Sequence, residues 1–124
     1  MINELAKEIH KNARNKGFFD DEKNIGEMIA LIHSETSEAL EADRNNSYAE
    51  MSKPALMNMM GQESDVIYEA LFKKHAKDTF EDELADIMIR VMDLAAFKGI
   101  DLERHIRAKM RYNSLRPHKH GKRY

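Results

Sequence analysis

The run Ile25-Gly26-Glu27-Met28-Ile29-Ala30-Leu31-Ile32-His33-Ser34-Glu35-Thr36-Ser37-Glu38-Ala39-Leu40-Glu41-Ala42-Asp43-Arg44 is patterned as a helix. Ile25, Met28, Ile32, Glu35 and Ala39 follow one another at spacings of three, four, three and four, the repeat of an amphipathic helix rather than a strand. Asn24 with Glu27 three residues later is a helix-start signal, so the sequence predicts a helix from about Ile25 to Arg44. One member of the series is out of place. Glu35 falls inside the apolar arc formed by Leu31, Ala42, Met28, Ala39, Ile32, Ile25, Ile29 and Leu40, where a core residue belongs. Glu38 lies one step outside that arc, and the two carboxylates rise about 4.5 Å apart along the axis.

A second segment repeats the pairing. Thr79 and Asp82 form a capping-box match before Phe80, Leu84, Ile87, Val91, Leu94 and Ala95, which predicts a helix ending near Phe97, ahead of Gly99. Glu83 and Asp86, three apart, sit in a narrow polar wedge with Asp82, Asp93 and Arg90, joined by Phe97. Apart from Glu81 the rest of that helix is apolar or Ala, more than packing on one side requires, so it is expected to lie between other helices, including those of a second subunit.

The remainder is also helical in pattern, with two prolines and five glycines as punctuation. Ile2, Leu5, Ala6, Ile9 and Ala13 predict a first helix to about Lys16, with Gly17 placed to end it in the left-handed region. Residues 45–78 read as an insertion with one helix over Ser64 to Lys74, Pro54 opening only a short turn. Asp101 caps a last helix carrying Leu102, Ile106 and Met110, and residues 114–124 are expected to be an extended, mobile basic tail. The expected architecture is all-α: one domain over residues 1–124, a bundle of about four to five helices completed by oligomerisation.

Composition narrows the chemistry. The 124 residues are 42% hydrophobic and 34% charged, enough apolar material for a core. No apolar run approaches the roughly 18–20 residues of a membrane span, and the first residues lack a signal-peptide stretch; a cytoplasmic location with no membrane partner is expected. Cysteine is absent, which excludes disulfides, thiolate nucleophiles and thiolate metal sites. The net charge of −2 hides an asymmetry: residues 104–124 hold eight Lys or Arg and no acid, leaving 12 basic against 22 acidic residues before them.

If the two acid-bearing helices face each other, up to four negative charges converge in a partly dry place, which costs several kcal/mol unless protons or cations compensate. Oxygen ligands without thiolate or a His pair suit Mg²⁺, or Mn²⁺. The plain structural alternative is that both pairs are solvated helix faces, with Arg90 pairing Asp86. The Glu-x-x-His pattern of di-iron bundles is missing at both places, and HExxH, P-loop and GxSxG motifs are absent.

Ser34-Glu35-Thr36-Ser37-Glu38-Ala39-Leu40-Glu41-Ala42 followed by Glu81-Asp82-Glu83-Leu84-Ala85-Asp86 resembles the MazG-like branch of the all-α nucleoside triphosphate pyrophosphohydrolases, with E-x-x-E and E-x-x-D in order. The resemblance extends to Lys16-Gly17-Phe18-Phe19 and to the ending Lys109 through Asn113 and Arg116 through Lys122, leaving out residues 45–78. It implies a Mg²⁺-dependent enzyme that splits a nucleoside triphosphate between its α and β phosphates, working as a homodimer or homotetramer. The family's metal-binding acids fall on Glu35, Glu38, Glu83 and Asp86. Glu35 is expected to orient or deprotonate the attacking water, with Glu38 as the alternative.

For substrate binding the resemblance points to His10 and Phe19 at the base, Phe19 replacing a more usual tryptophan, and to Lys109 and Asn113, one helical turn apart, near the triphosphate. Lys16 either touches phosphate or favours the end of its helix dipole. His10 is equally readable as an interfacial helix residue. Asp93 reads as solvent-exposed or as an additional metal ligand, and the methionines at 57, 59 and 60 as packing filler. The rival from another class is a non-catalytic helical module whose basic tail binds nucleic acid or an acidic protein; nucleic acid is the less expected partner because the body is acidic.

Overall fold

A computed structural model describes residues 1–123 and contains six α-helices: α1 (Ile2–Asn15), α2 (Ile25–Arg44), α3 (Lys53–Met60), α4 (Asp65–His75), α5 (Phe80–Phe97) and α6 (Leu102–Ser114). Among the described residues there is no strand, and no helix is long and apolar enough to cross a membrane. The chain packs as two compact units, Asn24–Arg90 and Met1–Lys23 with the residues from Val91 on.

In the unit Asn24–Arg90, α2 begins where its capping signal lies: the Asn24 side chain accepts a hydrogen bond from the Glu27 amide at 3.2 Å, satisfying one of the free donors of the first turn. Its buried residues are Met28, Glu35, Ala39 and Ala42. Beyond its end, the Phe80 amide donates to the Ser47 carbonyl at 2.8 Å, the Ala49 amide donates to Glu81 Oε2 at 2.8 Å, and the Tyr48 and Phe80 rings lie 5.2 Å apart. These bonds pin the end of α2 beside the start of α5, so the two helices run antiparallel. Thr79 caps α5, its Oγ1 accepting from the Asp82 amide at 3.4 Å, while Asp82 Oδ2 reaches back past Thr79 to accept from the Asp78 amide at 2.9 Å.

The insertion departs from expectation. Pro54 does not merely open a turn; it lies in the first turn of an eight-residue helix capped by Ser52, where a missing N–H costs nothing. Gly61 ends α3, and Ser64 caps α4. Of the three methionines only Met59 is buried, while Met57 and Met60 are exposed. Met59 fills the packing as expected, whereas Met57 and Met60 face away from it.

In the other unit, Gly17 takes φ +86° after α1, and the Phe18 amide returns to the Ala13 carbonyl at 3.1 Å, the left-handed ending its position predicts. α1 is tied to α6 through the side chain of Asn3, whose Nδ2 donates to Asp101 Oδ1 at 2.7 Å and whose Oδ1 accepts from the Glu103 backbone amide at 3.2 Å. The Ile2 amide donates to Glu103 Oε1 at 2.8 Å. The tail is not wholly extended: His118–Gly121 forms a 3₁₀ turn in which Lys119 and His120 have positive φ, and Arg116 Nη2 donates to the His120 carbonyl at 3.2 Å. Tyr124, the last residue of the expected tail, lies outside the described residues.

Among the described residues no large side chain is fully enclosed. The expected burial of α5 between helices is met on one side only, since Leu84, Met88 and Ile89 are exposed, as are Ile29, Leu31 and Leu40 of α2.

Candidate functional site

The antiparallel pairing of α2 and α5 brings acids from both helices together. Glu35, Glu38 and Glu83 each offer a carboxylate oxygen, and these oxygens lie within 4.8 Å of one another. Glu35 and Glu83 are buried, at 6% and 8% exposure, while Glu38 is exposed. Asp86, half-buried one turn beyond Glu83, is outside that tight group of three.

One cation answers them directly. Arg90 Nε donates to Glu35 Oε1 at 2.6 Å, so Arg90 takes Glu35 and not the Asp86 that lies one turn before it. The reason is burial. A carboxylate withdrawn from water gains more from a guanidinium than a neighbour that keeps part of its hydration.

The electrostatics follow from this geometry. Burial first, then the charges of Glu38, Asp86, Glu35 and Asp82, push the Glu83 carboxyl up to about 7. Asp86 is raised by burial and by Asp82 and Glu35. Glu38 is raised because its proton is shared with Glu35 and because the Glu35 charge opposes its own. Glu35 is pushed up by burial, but hydrogen bonds from Arg90 and from the Glu38 and Glu83 carboxyls more than offset that, so its pKa lies below the ordinary range. The result is one carboxylate held below the ordinary range by a guanidinium among three whose pKa values are raised above it. An oxygen-only donor set with such unmet negative charge fits a hard divalent cation, with Glu35, Glu38 and Glu83 as the converging donors.

The expected substrate residues lie in the other unit. His10 and Phe19 meet: their ring centroids are 4.6 Å apart, edge to face, and Phe97 stands 5.1 Å from Phe19. With Arg14 and Lys23 they line a cavity of about 520 Å³, and Lys23 Nζ lies 5.3 Å from the Phe19 centroid. Phe18 is exposed. Lys109 and Asn113 sit one turn apart on α6, but Lys109 Nζ rests 4.9 Å from the Tyr112 ring, whereas Asn113 Oδ1 is enclosed without a hydrogen-bond partner, an acceptor for which a donor is due. Lys16 caps the end of α1 and is exposed.

Two residues have partners that the sequence reading did not assign. Arg90 holds Glu35, and Asp93, read as solvated or metal-binding, is instead half-buried with Oδ1 2.8 Å from His10 Nδ1. A signal for both was present: Asp86, Arg90, Asp93 and Phe97 follow at four, three and four on α5, one continuous face. What that face meets could not be read from spacing.

Compared with known proteins, the chain matches no family model, no curated protein and no solved structure.

Proposed function

We propose that this chain is a divalent-metal-dependent nucleoside triphosphate pyrophosphohydrolase of the MazG-like kind, releasing pyrophosphate from a (d)NTP and leaving the (d)NMP, as a cytoplasmic homodimer or homotetramer. The observation that carries the reading is the meeting of Glu35, Glu38 and Glu83 across an antiparallel helix pair, two of them buried. Solvated helix faces do not place like charges this way.

Glu35, Glu38 and Glu83 hold Mg²⁺ or Mn²⁺, with Asp86 completing the acidic set. When bound, such an ion neutralises phosphate charge and lowers the pKa of a coordinated water. Glu35 stays ionised because Arg90 bonds it, so it accepts hydrogen bonds and orients the attacking water toward the α-phosphorus; Arg90 fixes the direction of that carboxylate. The family resemblance assigns the base to His10 and Phe19 and the phosphates to Lys109, Asn113 and Lys16. The exposed apolar residues of α2 and α5 support oligomerisation, because contiguous apolar surface on a small chain marks an interface.

The test is pyrophosphate release from each dNTP and NTP with Mg²⁺. Release from at least one, lost on chelation, is expected; folded protein that releases none overturns the assignment.

A further inference from the structure

The guanidinium of Arg90 is only partly used. Its Nε donates to Glu35 Oε1 at 2.6 Å, and among the described residues neither Nη has a hydrogen-bond partner. The Arg90 side chain is 39% exposed, against 8% for that of Glu35, so the fork is fixed at one edge and still reachable from solvent. A guanidinium carries five N–H donors in one plane. With Nε engaged, the Nη1–Nη2 edge remains to meet two oxygens of one anion side by side. Among the described residues no other Lys or Arg is ion-paired with Glu35, Glu38, Glu83 or Asp86. For a metal alone this arrangement is a cost, because a fixed positive charge beside the converging acids repels a divalent cation. It becomes a gain when the ligand that arrives with the cation is an anion.

We propose that Arg90 is a substrate ligand as well as the partner of Glu35: its free Nη1–Nη2 edge grips the non-bridging oxygens of the phosphate that the water attacks, the one the reaction leaves on the nucleoside monophosphate. The inference rests on the hydrolase reading. Displacement at phosphorus is in line, so water enters on one side and pyrophosphate departs on the opposite one. Glu35 orients the water, and the guanidinium bonded to Glu35 therefore stands on the entry side, next to the α-phosphate and away from the departing group. One rigid plane then holds both the orienting carboxylate and the phosphate, which fixes their separation, and it meets the charge on the equatorial oxygens. A lysine carries the same charge on a flexible stem and has no fork to hold the two together.

Calorimetry on the full chain tests this with Mn²⁺ alone, then with dAMP, dCMP, dGMP, dTMP and inorganic pyrophosphate each added to Mn²⁺-loaded protein. At least one monophosphate is expected to bind the unaltered protein. Arg90→Met is expected to weaken that binding by about tenfold or more and pyrophosphate by about threefold or less, with Mn²⁺ alone bound as tightly as before or more tightly, because a repelling charge is gone. Arg90→Lys is expected to recover only part of the loss, to about threefold to tenfold below the unaltered protein. Circular dichroism checks that both variants keep their helices. An arginine that only aims Glu35 behaves otherwise: in Arg90→Met the Mn²⁺ affinity falls, and monophosphate and pyrophosphate weaken together. That pattern, no monophosphate binding to the unaltered protein, unchanged monophosphate binding in Arg90→Met, or full recovery in Arg90→Lys each overturns the inference, and the hydrolase stands if any nucleotide still yields pyrophosphate. Release from no nucleotide overturns the hydrolase reading instead; monophosphate binding that is lost in Arg90→Met then leaves the phosphate contact in place without it.

Discussion

Arg90 Nε donates to Glu35 Oε1 at 2.6 Å across 55 positions of sequence, and this bond separates Glu35 from the other acids of the cluster. Glu83 has burial without such a bond, and its carboxyl rises to about 7.

Arg90→Met should therefore destabilise the metal-free protein by about 1–3 kcal/mol, because it strands a buried carboxylate. Glu35→Gln should cost less, since the amide oxygen still accepts from Arg90. Urea unfolding of both variants in EDTA compares the two, and equal stabilities would contradict the assigned pairing.

The acids also make stability depend on pH. Glu83 binds its proton more tightly folded, at about 7, than at the ordinary 4.5, so its contribution is complete below about pH 4.5 and is lost as pH climbs through 7. Glu38 and Asp86, also raised, act in the same direction; Glu35, lowered, opposes them only at more acid pH. Without divalent ions, the thermal midpoint should fall by about 5 °C between pH 5.5 and pH 8. Millimolar Mg²⁺ should close that gap, and Glu83→Gln should remove most of it. A midpoint that climbs over this interval without metal would refute the charge assignment.

Removing any converging acid should remove the metal. Glu38→Gln and Glu83→Gln are each expected to abolish calorimetrically detectable Mn²⁺ binding and to lower pyrophosphate release by about 10² or more. Asp86→Asn, outside the tight group of three, should weaken binding less than either.

The uncovered apolar side of α5 predicts association. Sedimentation at micromolar concentration should show a dimer or tetramer, and Met88→Glu with Ile89→Glu should shift it to a smaller species with helical content retained. A chain that sediments as a monomer with or without the substitutions would remove this interface.

Gly17 is a local test. At φ +86° an added Cβ would lie 2.9 Å from Asp20 Oδ2, so Gly17→Ala should cost about 1 kcal/mol or more in urea unfolding.

The bounds of α2 and α5 were legible because helix repeat, caps and breakers act within about four residues of chain: Asn24, Thr79 and Asp101 each cap the helix their position announces. So was the candidacy of Glu35, an acid in an apolar stripe. α3 was missed because Pro54 reads equally as a turn opener or a first-turn helix residue, and eight residues carry too little periodicity to choose.

Local chain chemistry therefore determined the all-α character, most helix limits and which acids were worth watching. Tertiary structure alone decided that Arg90 bonds Glu35 and not Asp86, that Asp93 meets His10, and that Glu83 is buried deeply enough to resist ionisation. The physical reason is range. Spacing along one helix orients a side chain, but its partner and its loss of water depend on a second helix whose approach is set by packing over the whole length of both.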